Sequence, residues 1–236
     1  MMKIGILDAF PPTKSTINWN NTPVDAYIRL LESVNAPFEY DGYLAAQGQF
    51  PESPDACDAY LVTGSPKGVY DSDPWITTLK LFIQDSFRAG KKLVGICFGH
   101  QILAQALGGR AEKSHKGWGL GLSSFEINTR KPWMTDIPDQ CKLYFVHQDQ
   151  VVQLPPEAEL LGGNDFCPNL VYTIDNKALG IQGHPEFGTD LMRDLIGGRE
   201  EMVGKQVHQN AMNSLKNGSP DNKLFASWIV NFLTEH

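Results

Sequence analysis

No stretch of this 236-residue chain approaches the ~20 consecutive apolar residues that a membrane-crossing helix needs. The opening Met1-Met2-Lys3 leads into Ile4-Gly5-Ile6-Leu7, which Asp8 interrupts before it reaches the length of a signal-peptide apolar region. Together these absences exclude a membrane partner and give the expectation of a cytoplasmic protein. There is also no block of like charge and no low-complexity run. A net charge of −7 leaves no basic surface of the kind that phosphate backbones require, which excludes nucleic acid as a partner. Cysteine is sparse, and Cys57, Cys97, Cys141 and Cys167 lie far apart. That spacing fits neither a disulfide framework nor the close pairs of a zinc site, and reduced thiols are expected. Cys97 with His100, or Cys141 with His147, completes no four-ligand set, so no metal is expected.

What is present is an ordinary globular composition, with 42% hydrophobic residues, and an alternation of strand and helix patterns. Strands are predicted at Lys3–Leu7, Phe38–Tyr40, Ala59–Val62 and Lys92–Ile96. Helices are predicted at Pro23–Val34, Pro74–Ala89, where Gly90 follows as the closing glycine, and His100–Leu107. This order predicts an α/β fold with a mostly parallel sheet covered by helices on both faces. Between Arg110 and Gln182 the character changes. Short runs at Gly121–Ile127, Leu143–Val146, Val151–Leu154, Leu170–Ile174 and Ala178–Ile181, separated by Gly, Pro and Asp turns, predict antiparallel additions to the sheet. Two or three helices should finish the chain. The last, Lys223–Thr234, carries Phe225, Trp228, Ile229, Phe232 and Leu233 on one stripe. With no linker and no repeat, residues 1–236 are expected to form a single domain with 197–236 as a helical extension.

The sharpest local signal is Gly95-Ile96-Cys97-Phe98-Gly99-His100-Gln101, a strand that turns through a small-x-nucleophile-x-small pattern into a helix. The glycines suit a tight turn, and a helix N-terminus favours the thiolate. Either Cys97 is a small buried residue between two turn glycines, or it is a nucleophile, and a nucleophile needs a base. His184-Pro185-Glu186, at the end of another apolar strand, supplies an imidazole and a carboxylate to orient it; the alternative is a surface turn. An oxyanion formed on a carbonyl would be met by the Phe98 and Ser65 amides, the latter in Thr63-Gly64-Ser65-Pro66-Lys67-Gly68. That loop lacks the spacing and the terminal Lys-Ser/Thr of a P-loop, so nucleotide triphosphate binding is not expected.

In combination these blocks resemble the class I glutamine amidotransferase family, and within it the stand-alone proteins similar to the glutaminase domain of GMP synthase. The likeness rests on Val62–Pro66, Gly95–Gln101, His147–Asp149 and Gln182–Phe187, and it covers roughly residues 1–196. Thr63-Gly64-Ser65-Pro66 stands where the family commonly has a double glycine before the proline, and Val146 where a serine often precedes the histidine. The resemblance implies a flavodoxin-like fold, a Cys97–His184–Glu186 triad, substrate contacts from Gly64, Gln101, His147 and Gln148, and no cofactor. It implies hydrolysis of the glutamine side-chain amide through a γ-glutamyl-cysteine thioester, with ammonia passed to a synthetase on a separate chain. A hydrolase acting alone on γ-glutamyl peptides or conjugates uses the same chemistry, and a binding module without turnover is the non-enzymatic alternative.

Overall fold

The structure, a computed structural model, describes residues 1–12, 19 and 21–235. Short apolar runs bounded by turn residues become inner strands, because every side chain in them has a covered face to enter. Thus β1 (Met2–Leu7), β3 (Ala59–Val62), β4 (Lys92–Ile96) and β11 (Ala178–Ile181) run parallel side by side, with β2 (Phe38–Tyr43) outside β1. Four further strands extend the sheet antiparallel: β6 (Gly119–Ile127), β7 (Cys141–His147), β9 (Ala158–Gly163) and β10 (Val171–Ile174). The order across the sheet is β2-β1-β3-β4-β11-β10-β9-β6-β7.

Alternation along the inner strands divides their side chains between two cores. Ile4, Ile6, Leu61, Val94 and Ile96 face α1 (Pro23–Glu32) and α7 (Asn222–Thr234). Leu7, Tyr60, Val62 and Leu93 face α2 (Pro74–Arg88) and α3 (Phe98–Ala106). Helix α1 starts where its sequence says it should: Thr22 and Asp25 form a reciprocal capping box and Pro23 occupies the first turn. In α7 the expected stripe of Phe225, Trp228, Ile229, Phe232 and Leu233 is wholly buried, each side chain contributing about 1.5–3 kcal/mol of transfer free energy. The Trp228 indole N–H closes the contact by donating to the Thr135 carbonyl at 2.7 Å.

Differences from the sequence reading have local causes. Two strands were not foreseen, β5 (Arg110–Lys113) and β9. β5 buries only Ala111 among four residues, and β9 ends in two glycines, so neither carries a strand-like apolar pattern. β5 pairs with β8 (Asp149–Gln153) in a separate two-stranded ladder, so β8 does not join the main sheet, and β11, expected among the antiparallel additions, instead pairs parallel with β4 and antiparallel only with β10. Helix α3 begins at Phe98, immediately after Cys97, two residues before the expected start. Four helices end the chain: α4 (Thr189–Gly197), α5 (Glu200–Val203), α6 (Lys205–Ser214) and α7. No described helix is long and apolar enough to cross a membrane.

Candidate active site

The parallel order places three carboxyl ends side by side: β3 leads into the Thr63–Gly68 loop, β4 into Cys97, and β11 into Gln182–Glu186. Ligand sites of open parallel sheets lie at this rim. Register then fixes who meets whom. Ile181 pairs with Ile96, and the Cys97 amide donates to the Ile181 carbonyl at 2.9 Å, so the chain beyond β11 passes directly beside the sulfur.

Cys97 itself sits at φ 53°, ψ −102°, a conformation that a non-glycine residue holds only when its surroundings enforce it. They do so through contact. A Cβ on Gly95 would lie 2.3 Å from the Gly99 carbonyl oxygen, and one on Gly99 2.2 Å from that of Val62. Strand, turn and helix are therefore packed too closely at both points for any side chain. The turn aims Cys97 into a cavity of about 470 Å³ with the positive end of the nine-residue helix α3 behind it. As the first residue of that helix, Phe98 has no intrahelical acceptor for its N–H. Ser65 likewise has no backbone acceptor among the described residues, and it lines the cavity beside Gly64.

His184 lies against this turn, its Nδ1 2.7 Å from Glu186 Oε1, while the Glu186 side chain has no exposed surface. The His184 amide donates to the Tyr144 carbonyl at 2.8 Å, which fixes the backbone of the turn, and Phe187 stacks on its ring at 4.1 Å and 5°. Burial alone would drive the imidazole to its neutral form. The Glu186 carboxylate and the Cys97 sulfur outweigh it and raise the imidazolium to about 10. The sulfur, imidazole and carboxylate singled out in the sequence are thus brought together at one rim.

Two further residues complete the constellation and were not recognised in the sequence. The Tyr27 hydroxyl donates to Glu186 Oε1 at 2.7 Å and accepts the Gly64 amide at 3.0 Å, tying the carboxylate to the loop that carries Ser65. Burial, with Glu186 beside it, pushes the phenol well above its ordinary value, so it remains a donor. Tyr27 reads in sequence as one more apolar position on α1, and nothing local distinguishes it. Gln182, fully buried, donates its Nε2 to Cys97 Sγ at 3.6 Å. Gln101 lines the cavity, but its amide nitrogen is engaged by the Asp149 carbonyl at 3.0 Å and Gln182 Oε1 at 3.1 Å. It reaches the site through Gln182, and only its Oε1 is left to meet a ligand.

His147 and Gln148 also line the cavity. His147 Nδ1 lies 3.0 Å from the Asp149 carbonyl and so carries the ring proton; burial holds this imidazole neutral, down to about 4. Gln148 uses its carbonyl to accept the Ser114 amide at 3.1 Å. Cys57, Cys141 and Cys167 are buried free thiols, the last two pushed up to about 12 by burial. His208, on α6 away from this cavity's lining, is largely covered, with Nδ1 3.6 Å from Glu200 Oε2. Among the described residues no group of three His, Cys, Asp or Glu side chains could hold a metal ion.

Residues 24–196 match the family model described as glutamine amidotransferase class-I. The chain belongs to this family. Within the class I glutamine amidotransferases it is 31% identical over 204 residues to gamma-glutamyl peptidase 5 of Arabidopsis thaliana, spanning 83% of this chain and 81% of that one. It is 28% identical over 156 residues to the glutamine-hydrolyzing GMP synthase of Bacillus licheniformis, spanning 64% of this chain and only 29% of that protein. Among solved structures, a glutamine amidotransferase of Thermotoga maritima superposes with a TM-score of 0.77 at 18% identity, over 99% of each chain, and shows the same flavodoxin-like fold.

Proposed function

We propose that this class I glutamine amidotransferase homologue is a hydrolase of γ-glutamyl compounds acting through a Cys97–His184–Glu186 triad. The observation that carries this reading is the convergence on one rim of a strained Cys97 turn and a His184 imidazole held by Glu186 at 2.7 Å. In this mechanism the Cys97 thiolate attacks the γ-carbonyl carbon, and the C–O π electrons move to oxygen. The amides of Phe98 and Ser65 receive that oxyanion, each such donor supplying roughly 3–4 kcal/mol. As the tetrahedral centre collapses the C–N bond breaks, and the His184 imidazolium gives its proton to the departing nitrogen, leaving a γ-glutamyl thioester. Water, deprotonated by the now neutral His184, attacks the thioester, releases glutamate and restores the thiolate. Tyr27 and Gln182 act as positioning residues, and Gly64, Gln101, His147 and Gln148 would line the glutamyl pocket.

The same chemistry serves a glutamine substrate or a γ-glutamyl peptide, since the acyl half is common to both. The peptidase relative, matched over most of both chains, supports the second more than the first. The GMP synthase relative, glutamine-hydrolyzing by name, supports glutamine as the substrate. Purified protein incubated with glutamine and, separately, with γ-glutamyl dipeptides distinguishes these readings by assay of ammonia, free amine and glutamate. Amine released from dipeptides at a kcat/KM above that for glutamine is expected, and the reverse order would return the reading to an amidotransferase. Cys97→Ala should abolish turnover, by at least about 10³-fold, with an unchanged circular dichroism spectrum. Retained activity in that variant would rule out the thioester.

A further inference from the structure

The proton for the departing amine comes from His184, so the surface beyond that ring is where the leaving group lies. There the wall turns aromatic. Phe187 stacks on His184 at 4.1 Å, Trp19 lies 5.7 Å from Phe187, and Phe10 lies 5.5 Å from Trp19, all measured between ring centroids. Leu195 packs in the same cluster as Trp19 and Phe187, and all four line the cavity. Ammonia or a small amine has no use for such a row, whereas a large apolar group gains transfer free energy on every ring it covers.

Beside Leu195 the wall also carries a cation. Arg199 lines the cavity, half-buried, and donates Nη1 to the Leu195 carbonyl at 2.6 Å. Among the described residues no carboxylate pairs with it, and burial disfavours its charge. Lys113, which also lines the cavity and has no ion-pair partner among the described residues, differs in having Asp149 close enough to interact electrostatically. A half-buried, unpaired guanidinium with unused N–H groups is matched by a carboxylate, which it can grip with both prongs. The cavity, about 470 Å³, is of the size that accommodates a whole small ligand.

We infer that this wall is a leaving-group subsite, and that it selects γ-glutamyl conjugates whose departing amine is a large apolar or aromatic amino acid with a free carboxylate, held by Arg199. The inference rests on the proposed γ-glutamyl thioester chemistry and adds to it the identity of the amine. It is tested on the wild-type protein by kcat/KM for γ-glutamyl-phenylalanine, its C-terminal amide, and γ-glutamyl-glycine. Phenylalanine is expected to exceed glycine by about tenfold or more, from burial of one aromatic side chain. The free acid is expected to exceed the amide by about tenfold to a hundredfold, the range for a hydrogen bond to a charged group. In Arg199→Gln the acid-to-amide ratio should collapse towards one, and in Trp19→Ala the phenylalanine-to-glycine ratio should fall.

Turnover of all three substrates at similar kcat/KM would overturn the subsite while leaving the γ-glutamyl hydrolase reading intact. Absence of turnover with every γ-glutamyl compound would overturn both. An equal loss on acid and amide in Arg199→Gln would assign that guanidinium to the glutamyl carboxylate, and so would also overturn the inference.

Discussion

Replacing Tyr27 by Phe removes a single hydroxyl, and the structure sets what that removal costs. The hydroxyl donates to Glu186 Oε1 and accepts from the Gly64 amide. Glu186 Oε2 already has no hydrogen-bond partner among the described residues, so the carboxylate would be left there with His184 alone. A hydrogen bond to a charged group is worth about 1.5–3 kcal/mol, and a covered N–H left without an acceptor adds about 1–3 kcal/mol. A stability loss of about 3 kcal/mol is expected, equivalent to a fall in Tm of roughly 6–12 °C for a chain of this size. The effect on turnover should be distinct. Gly64 precedes Ser65, so the loop that presents the proposed oxyanion donor loses an anchor while His184 loses a firmly held orienting group. Complete loss of one such donor costs about 10²–10³ in kcat, and partial misplacement should cost about tenfold to a hundredfold with little change in KM. Steady-state kinetics with a γ-glutamyl dipeptide, well below the variant's Tm, measures both constants. A kcat within twofold of wild type alongside the lowered Tm would make Tyr27 a purely structural tie and refute its positioning role.

Gly95→Ala places a methyl group 2.3 Å from the Gly99 carbonyl oxygen, so the turn must open. A stability loss of about 1–3 kcal/mol, measured by urea denaturation, should accompany loss of Cys97 alkylation by iodoacetamide. His184 is raised from 6.5 to about 10, so the native state holds a proton that the unfolded chain releases. Its contribution to stability is complete below pH 6.5 and disappears as pH rises through about 10, so the urea midpoint should decline over that window with a smaller slope in His184→Gln. His147 has the opposite sign. Held neutral down to about 4 against 6.5 unfolded, it contributes about 3 kcal/mol that is lost as pH falls between those values. An acid titration of stability should therefore flatten across that interval in His147→Gln, and an unchanged slope would refute the assignment.

Much of this protein is legible in its sequence. The bounds of β3, β4 and β11 match the sequence reading to the residue, because four- or five-residue largely apolar runs closed by Thr, Cys or Gln leave little freedom in where a buried strand ends, whereas the parallel pairing of β11 with β4 is set by no local pattern. The Gly95–Gly99 elbow was legible for a related reason: close packing of strand, turn and helix restricts its sequence to glycine on both sides of the nucleophile. Strand β5 was not legible, since Arg110-Ala111-Glu112-Lys113 offers one buried side chain and takes its order from pairing with β8. Tyr27 and Gln182 escaped notice because each looks like ordinary core or strand-end sequence until its partner is known. That partner lies 159 residues away for Tyr27 and 85 for Gln182.

Sequence alone therefore determined which candidate groups to look for: a thiol in a tight turn before a helix, and an imidazole two residues from a carboxylate. Local sterics and hydrogen-bonding geometry write those patterns directly into neighbouring residues. Only the tertiary structure decided that they meet, that a phenol links the carboxylate to the facing loop, and that an aromatic wall ending in a guanidinium with no carboxylate partner among the described residues lies beyond the imidazole. Parallel strands are paired across long crossovers, and no local pattern encodes which carboxyl ends will be neighbours.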